Sequence, residues 1–96
     1  MRVAWTRQGL ASLREIAMHV AHHTDLETGD LAAARVQVAV EDLLSQFPRI
    51  GGPGRVTRTR TTIVRVGSHP YRAVYRIVGE RVLIDYVRDT RRGDAM

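Results

Sequence analysis

The apolar residues of this chain change their spacing half-way along it. Before Pro48 they recur every three or four positions, and after Arg60 every second one. The first period belongs to one face of a helix and the second to one face of a strand, so the chain is committed to a helical first half and a sheet-forming second half. With 96 residues, 44% of them hydrophobic, it can enclose one core and is too short for two. Residues 1–96 are therefore expected to form a single domain.

Arg2 to Trp5 reads as a short strand, after which Thr6 can cap the free amides of a helix running from about Gln8 to His22. Leu10, Leu13, Ala17 and Val20 form its apolar stripe. The polar segment HHTDLETGD interrupts the pattern, and Asp30 is the expected cap of a second helix over LAAARVQVAVEDLLSQF. In that helix Val36, Val40, Leu43, Leu44 and Phe47 make the buried face, and Pro48 ends it. Three strands follow, Arg60 to Val66, Tyr71 to Val78 and Arg81 to Arg88, joined by Gly67-Ser68-His69-Pro70 and by Gly79-Glu80. Links this short join antiparallel neighbours. The expected fold is α+β, in the order β-α-α-β-β-β, an antiparallel sheet with a helical hairpin packed on one face.

Charge divides along the same line. Up to Pro48 there are four arginines against six acids; from Arg49 onward there are eleven against four, and the chain has no lysine. Clustered cations attract nucleic acid and acidic protein through the same field, so an anionic partner is expected on the sheet. Arg60, Arg65, Arg72, Arg76, Arg88, Arg91 and Arg92 lie on or beside the three strands. In the middle strand Tyr71, Ala73, Tyr75 and Ile77 share one face, while Arg72, Val74 and Arg76 share the other.

The stretch GGPGRVTRTR, between the halves, lacks the G-x-x-x-x-G-K-[ST] spacing of a nucleotide loop and leads into a strand rather than a helix. Gly51 to Gly54 instead reads as a mobile link, with Arg58 and Arg60 as contacts for an acidic partner. His19 and His23 are spaced to share a metal ion, yet no H-E-x-x-H signature accompanies them, and neither a metal nor a cofactor is expected. Trp5, Tyr71 and Tyr75 read as core residues; Tyr86 can belong to either face. The charged N-terminus is unlike a secretory signal, no apolar run is long enough to span a bilayer, and cysteine is absent, so a cytoplasmic protein without membrane association is expected.

The run HPYRAVYRIVGERVLIDYVRDTRR, taken with the strand ending in Trp5, the two helices closing at Phe-Pro and the Gly-rich link, resembles the RelE/ParE superfamily of bacterial type II toxins. The resemblance covers nearly the whole chain. It implies a toxin neutralised by a cognate antitoxin whose acidic segment covers basic surface, in a toxin–antitoxin hetero-oligomer. RelE-like members cleave messenger RNA on the ribosome; ParE-like members inhibit DNA gyrase and are not enzymes. Aligned on the Tyr-Arg pair, Arg65, Arg72 and Arg92 match basic positions of the ribonucleases. The last strand, however, holds no histidine, and the chain ends without a tyrosine. The spacing of PGRVTRTRTTIV before HPYRAVYRI is closer to ParE. A ParE-like gyrase inhibitor is thus the favoured expectation, with a RelE-like endoribonuclease and a nontoxic nucleic-acid-binding or structural module as alternatives.

Overall fold

A computed structural model describes residues 1–91. Its elements are β1 (Arg2–Trp5), α1 (Arg7–His23), α2 (Leu26–Gln46), β2 (Gly52–Pro53), β3 (Arg60–Val66), β4 (His69–Val78) and β5 (Arg81–Asp89). The strands form one sheet in the order β1-β5-β4-β3-β2. Every pairing from β2 to β5 is antiparallel, as the short links require, whereas β1 lies parallel to β5 and makes the sheet mixed. Both helices cover one face. No helix among the described residues is long and apolar enough to cross a membrane.

Thr6 ends β1 and starts α1. Its hydroxyl accepts a hydrogen bond from the Gly9 amide at 3.0 Å and donates one to the Ile84 carbonyl at 3.1 Å, so a single side chain caps the helix and fastens it to β5. The buried stripe of α1 is Gly9, Ser12, Leu13 and Ile16. Leu10, expected inside, sits at the rim because Ser12 occupies the stripe: its Oγ accepts from the Val87 amide at 3.0 Å. That amide lies beyond the end of β1, where among the described residues no strand lies beside β5 on that side.

The second helix starts earlier than expected. Asp25, not Asp30, is its cap, with Oδ1 accepting from the Thr28 amide at 2.7 Å, and the hairpin turn shrinks to Thr24 and Asp25. Gly29, a turn former by type, lies inside the helix. It is needed where the helices cross, since a methyl group there would come within 2.9 Å of the Ala21 Cβ. At the other end Phe47 is the C-cap (φ −130°, ψ 66°), so its side chain leaves the helical path and is exposed rather than buried. Val36, Val40 and Leu44 pack on Val64, Ala73, Tyr75, Val82, Ile84 and Val87 to form the core.

The link between the halves is a folded hairpin, not a free connection. β2 pairs with Arg60 and Thr61, and the Gly54 amide donates to the Thr59 carbonyl at 2.9 Å, which closes the loop of residues 54–59. Gly51 is buried against Tyr75, whose hydroxyl accepts from the Gly51 amide at 2.9 Å and donates to the Pro48 carbonyl at 2.8 Å. A Cβ at Gly51 would lie 2.7 Å from that hydroxyl. The glycine serves close approach, where the sequence suggested mobility.

Candidate anion-binding face

The face of the sheet away from the helices is assembled by register. Directly opposed residues in antiparallel strands share a face, so Ile63, Arg72 and Arg88 form one row, and Thr61, Val74 and Tyr86 form the next. Strict alternation along β5 would send Tyr86 and Arg88 to the same side as Val82 and Ile84, into the core. A β-bulge prevents this. Val74 pairs with Tyr86 and Tyr75 with Ile84, leaving Asp85 as the extra residue, so that Asp85, Tyr86 and Arg88 all face outward while Val87 resumes the core. The sequence carried a trace of it in the odd spacing between Ile84 and Val87.

Thr61, Arg72, Val74, Tyr86 and Arg88 of these rows floor a groove of about 820 Å³, and the loop of residues 54–59 forms its other wall. Four arginines line it, Arg55, Arg72, Arg76 and Arg88, together with the hydroxyls of Thr57, Thr59 and Thr61. Asp85 is the acid among the described lining residues, and Arg76 holds it in two-pronged fashion, Nε to Oδ2 at 2.7 Å and Nη2 to Oδ1 at 2.8 Å. Arg72 donates to the Thr61 hydroxyl at 3.3 Å, and the Arg88 guanidinium lies 5.1 Å from the centre of the Tyr86 ring. Arg72 and Arg88 are directly opposed across β4 and β5, which puts both guanidinium groups on this face side by side. The groove can thus hold phosphate or carboxylate oxygens.

Of the arginines singled out in the sequence, Arg72, Arg76 and Arg88 meet in this groove. Arg65 is on the same face, exposed and opposite Pro70. Arg58 is at the hairpin tip with φ 70°, exposed but outside the groove lining. Arg60 is placed otherwise than expected: register puts it on the helix side with Tyr75, and its Nη1 donates to the Gly51 carbonyl at 2.9 Å and the Arg49 carbonyl at 3.4 Å. Its guanidinium secures the hairpin. Arg91 is exposed beyond β5, and Arg92 lies outside the described residues. Arg55 was missed because the stretch containing it read as a link.

The histidines lie elsewhere. His19, His22 and His23 stack edge to face near the end of α1, and no group of three or more metal-ligating side chains occurs among the described residues. His69 shares the helix-side face with Tyr71 and Asp89. Its Nε2 is 2.8 Å from Asp89 Oδ2, an ion-pair distance. Burial pushes the Asp89 carboxyl up. The Arg91 amide, His69 and the charges of His69 and Arg91 outweigh that, and hold it below its ordinary value. Burial and the Asp89 charge raise the Tyr71 phenol, which keeps it protonated.

A carboxyl depressed on folding stabilises the fold above its unfolded pKa of about 4, and this contribution disappears as pH falls through the lower folded value. Thermal unfolding measured from pH 3 to pH 7 is expected to show Tm falling below about pH 4, and Asp89→Asn is expected to flatten that acid limb. An unchanged limb in the variant would remove Asp89 as its source.

Against known proteins, the family model described as the ParE toxin of type II toxin–antitoxin systems (parDE) matches residues 3–93. The chain belongs to the ParE toxin family. A Sinorhizobium fredii protein that bears the name "Putative toxin Y4kP" is 34% identical to this ParE-family chain over 76 residues, covering 79% of the chain and 75% of the relative. Among solved structures, the chromosomal ParDE toxin–antitoxin system of P. aeruginosa has a TM-score of 0.67 at 21% identity, covering 93% of this chain and 95% of that one. The RelBE2 toxin–antitoxin complex of Mycobacterium tuberculosis has a TM-score of 0.56 at 29% identity, covering 92% and 95%. The first likeness is one of fold; together with the family match they place this α+β architecture among the toxins of type II systems.

Proposed function

We propose that this ParE-family toxin inhibits DNA gyrase without itself being a hydrolase, and that an antitoxin with an acidic segment restrains it. One observation carries the choice of target. Cleavage of RNA by its own 2′-hydroxyl needs a group that accepts a proton, and arginine cannot do so. The carboxylate lining the groove, Asp85, is held through both oxygens by Arg76, while His69 is on the opposite face of the sheet. Besides Asp85 the described lining holds one other group able to exchange a proton, the Tyr86 phenol beside Arg88, so four arginines make holding anions the groove's main chemistry. The likeness to RelBE2 favours the second reading, a ribosome-dependent endoribonuclease, in which Arg65, Arg72 and Arg92 would clamp the scissile phosphate.

Purified protein is expected to block supercoiling by gyrase and to increase the amount of cleaved DNA, while messenger on purified ribosomes stays intact. In cells, mild induction should halt DNA synthesis before protein synthesis. Codon-positioned cuts in ribosome-bound messenger, with gyrase unaffected, would reverse the assignment.

A further inference from the structure

The outward face of the sheet changes chemistry from row to row. Arg65 stands at one end, and Arg72 with Arg88 forms the next row. Val74 and Tyr86 follow, and then Arg76 with the Asp85 that it holds. Successive rows are two residues apart on β4, a step of about 6.6 Å. The face thus runs from a cationic end, over an aromatic and apolar step, to a polar end whose charges are already paired. Gln8 lines the groove and belongs to the polar end, because the hydroxyl of Thr6, two residues before it, reaches the carbonyls of Ile84 and Asp85.

A nucleotide is built in the same order, with phosphates at one end, a sugar that spaces them from the base, and a base with a polar edge. We propose that this groove binds a free nucleoside di- or triphosphate. Such a ligand lies beyond what gyrase inhibition requires. The base lies on the platform of Tyr86 and Val74, since every base offers a π-face to an aromatic ring. One row away the α-phosphate meets Arg72 and Arg88, whose planar guanidinium groups match phosphate oxygens in two-pronged fashion. The outer phosphates extend toward Arg65, exposed on the same face one row further out. At the other end Arg76 and Asp85 satisfy each other, and the Gln8 amide, with donors and an acceptor, can pair with the base edge. A groove of about 820 Å³ is of the size that takes small ligands, whose pockets run to about 300–1,000 Å³. Tyr86 is the aromatic residue of the described lining, so the groove stacks one base and gives a strand no second platform. Side chains hold the phosphates here, and a Gly-rich phosphate loop is not needed.

The test titrates the purified 96-residue chain by calorimetry with AMP, ADP, ATP, inorganic tripolyphosphate and a short oligothymidylate. ADP and ATP are expected to bind more tightly than AMP. Tyr86→Leu should weaken ADP binding at least about fivefold and leave tripolyphosphate binding unchanged, because it removes the stack and no charge. Arg65→Ala should weaken ADP binding about fivefold and leave AMP binding nearly as it was, a selectivity that a diffuse positive field does not give. Arg65 is exposed, so its variant stays folded and decides the outcome even where Tyr86→Leu does not fold. Tripolyphosphate that binds as tightly as ATP with no dependence on Tyr86, or an equal loss of AMP and ADP in Arg65→Ala, would make the groove a site for anions in general and overturn the proposal. Tight binding of the oligothymidylate without binding of ADP would assign the groove to nucleic acid, and no binding at all would leave it without a ligand; both overturn it as well. Gyrase inhibition, assayed as DNA cleavage without added nucleotide, stands or falls separately in every case.

Discussion

Arg72→Ala is expected to abolish growth arrest while leaving the protein nearly as stable as before. Arg72 is exposed on a central strand directly opposite Arg88, and an exposed substitution of this kind changes stability by no more than about 0.5 kcal/mol. Its hydrogen bond to Thr61 is long and exposed. The functional loss is larger. A rigid strand fixes the guanidinium where a bound anion needs it, and truncating one partner of a desolvated charge pair costs about 2 kcal/mol or more, which is about 30-fold in affinity. The concentration needed to inhibit gyrase supercoiling should rise by at least that factor, with Tm nearly unchanged. A fully toxic Arg72→Ala variant would show that the groove is not the working surface.

The largest effect on stability is expected at Tyr75, whose ring is fully buried and whose hydroxyl joins the end of α2 to the start of the hairpin. In Tyr75→Phe the packing survives, but the Gly51 amide loses its acceptor and the Pro48 carbonyl its donor. A buried group left unpaired costs about 1–3 kcal/mol, and each kcal/mol moves Tm by about 4–8 °C in a domain of this size. A Tm drop of about 4 °C or more is expected, with faster exchange of the Gly51 amide. An unchanged Tm would mean that the hairpin is not anchored through this hydroxyl.

Periodicity made most of the elements legible, because each apolar repeat reflects a face that must be buried. β3 spans Arg60–Val66, as the alternation predicts, and β4 and β5 extend by only a residue or two beyond it. Thr6 is the cap that its position suggested. Errors fell where one residue type serves two purposes. Asp25 and Asp30 are equally good caps by composition; in the fold Asp25 is the cap, and Gly29 lies inside the helix, packed against Ala17 and Ala21 of α1. Glycines 51 and 54 read as freedom, yet Gly51 is where a buried tyrosine passes close to the backbone.

The charge division, the helix-then-sheet order and the arginine content of the strands belong to the sequence, since they need only composition and local period. Which arginines meet was decided in three dimensions. The bulge at Asp85 turns Tyr86 and Arg88 outward, register brings Arg88 opposite Arg72, Asp85 takes Arg76, and hairpin closure adds Arg55 while drawing Arg60 to the helix side. β1 beside β5 is likewise a pairing between opposite ends of the chain. A one-residue slip reverses the faces of a strand, and long-range pairing is set by the sum of core contacts, so neither could be read from local pattern.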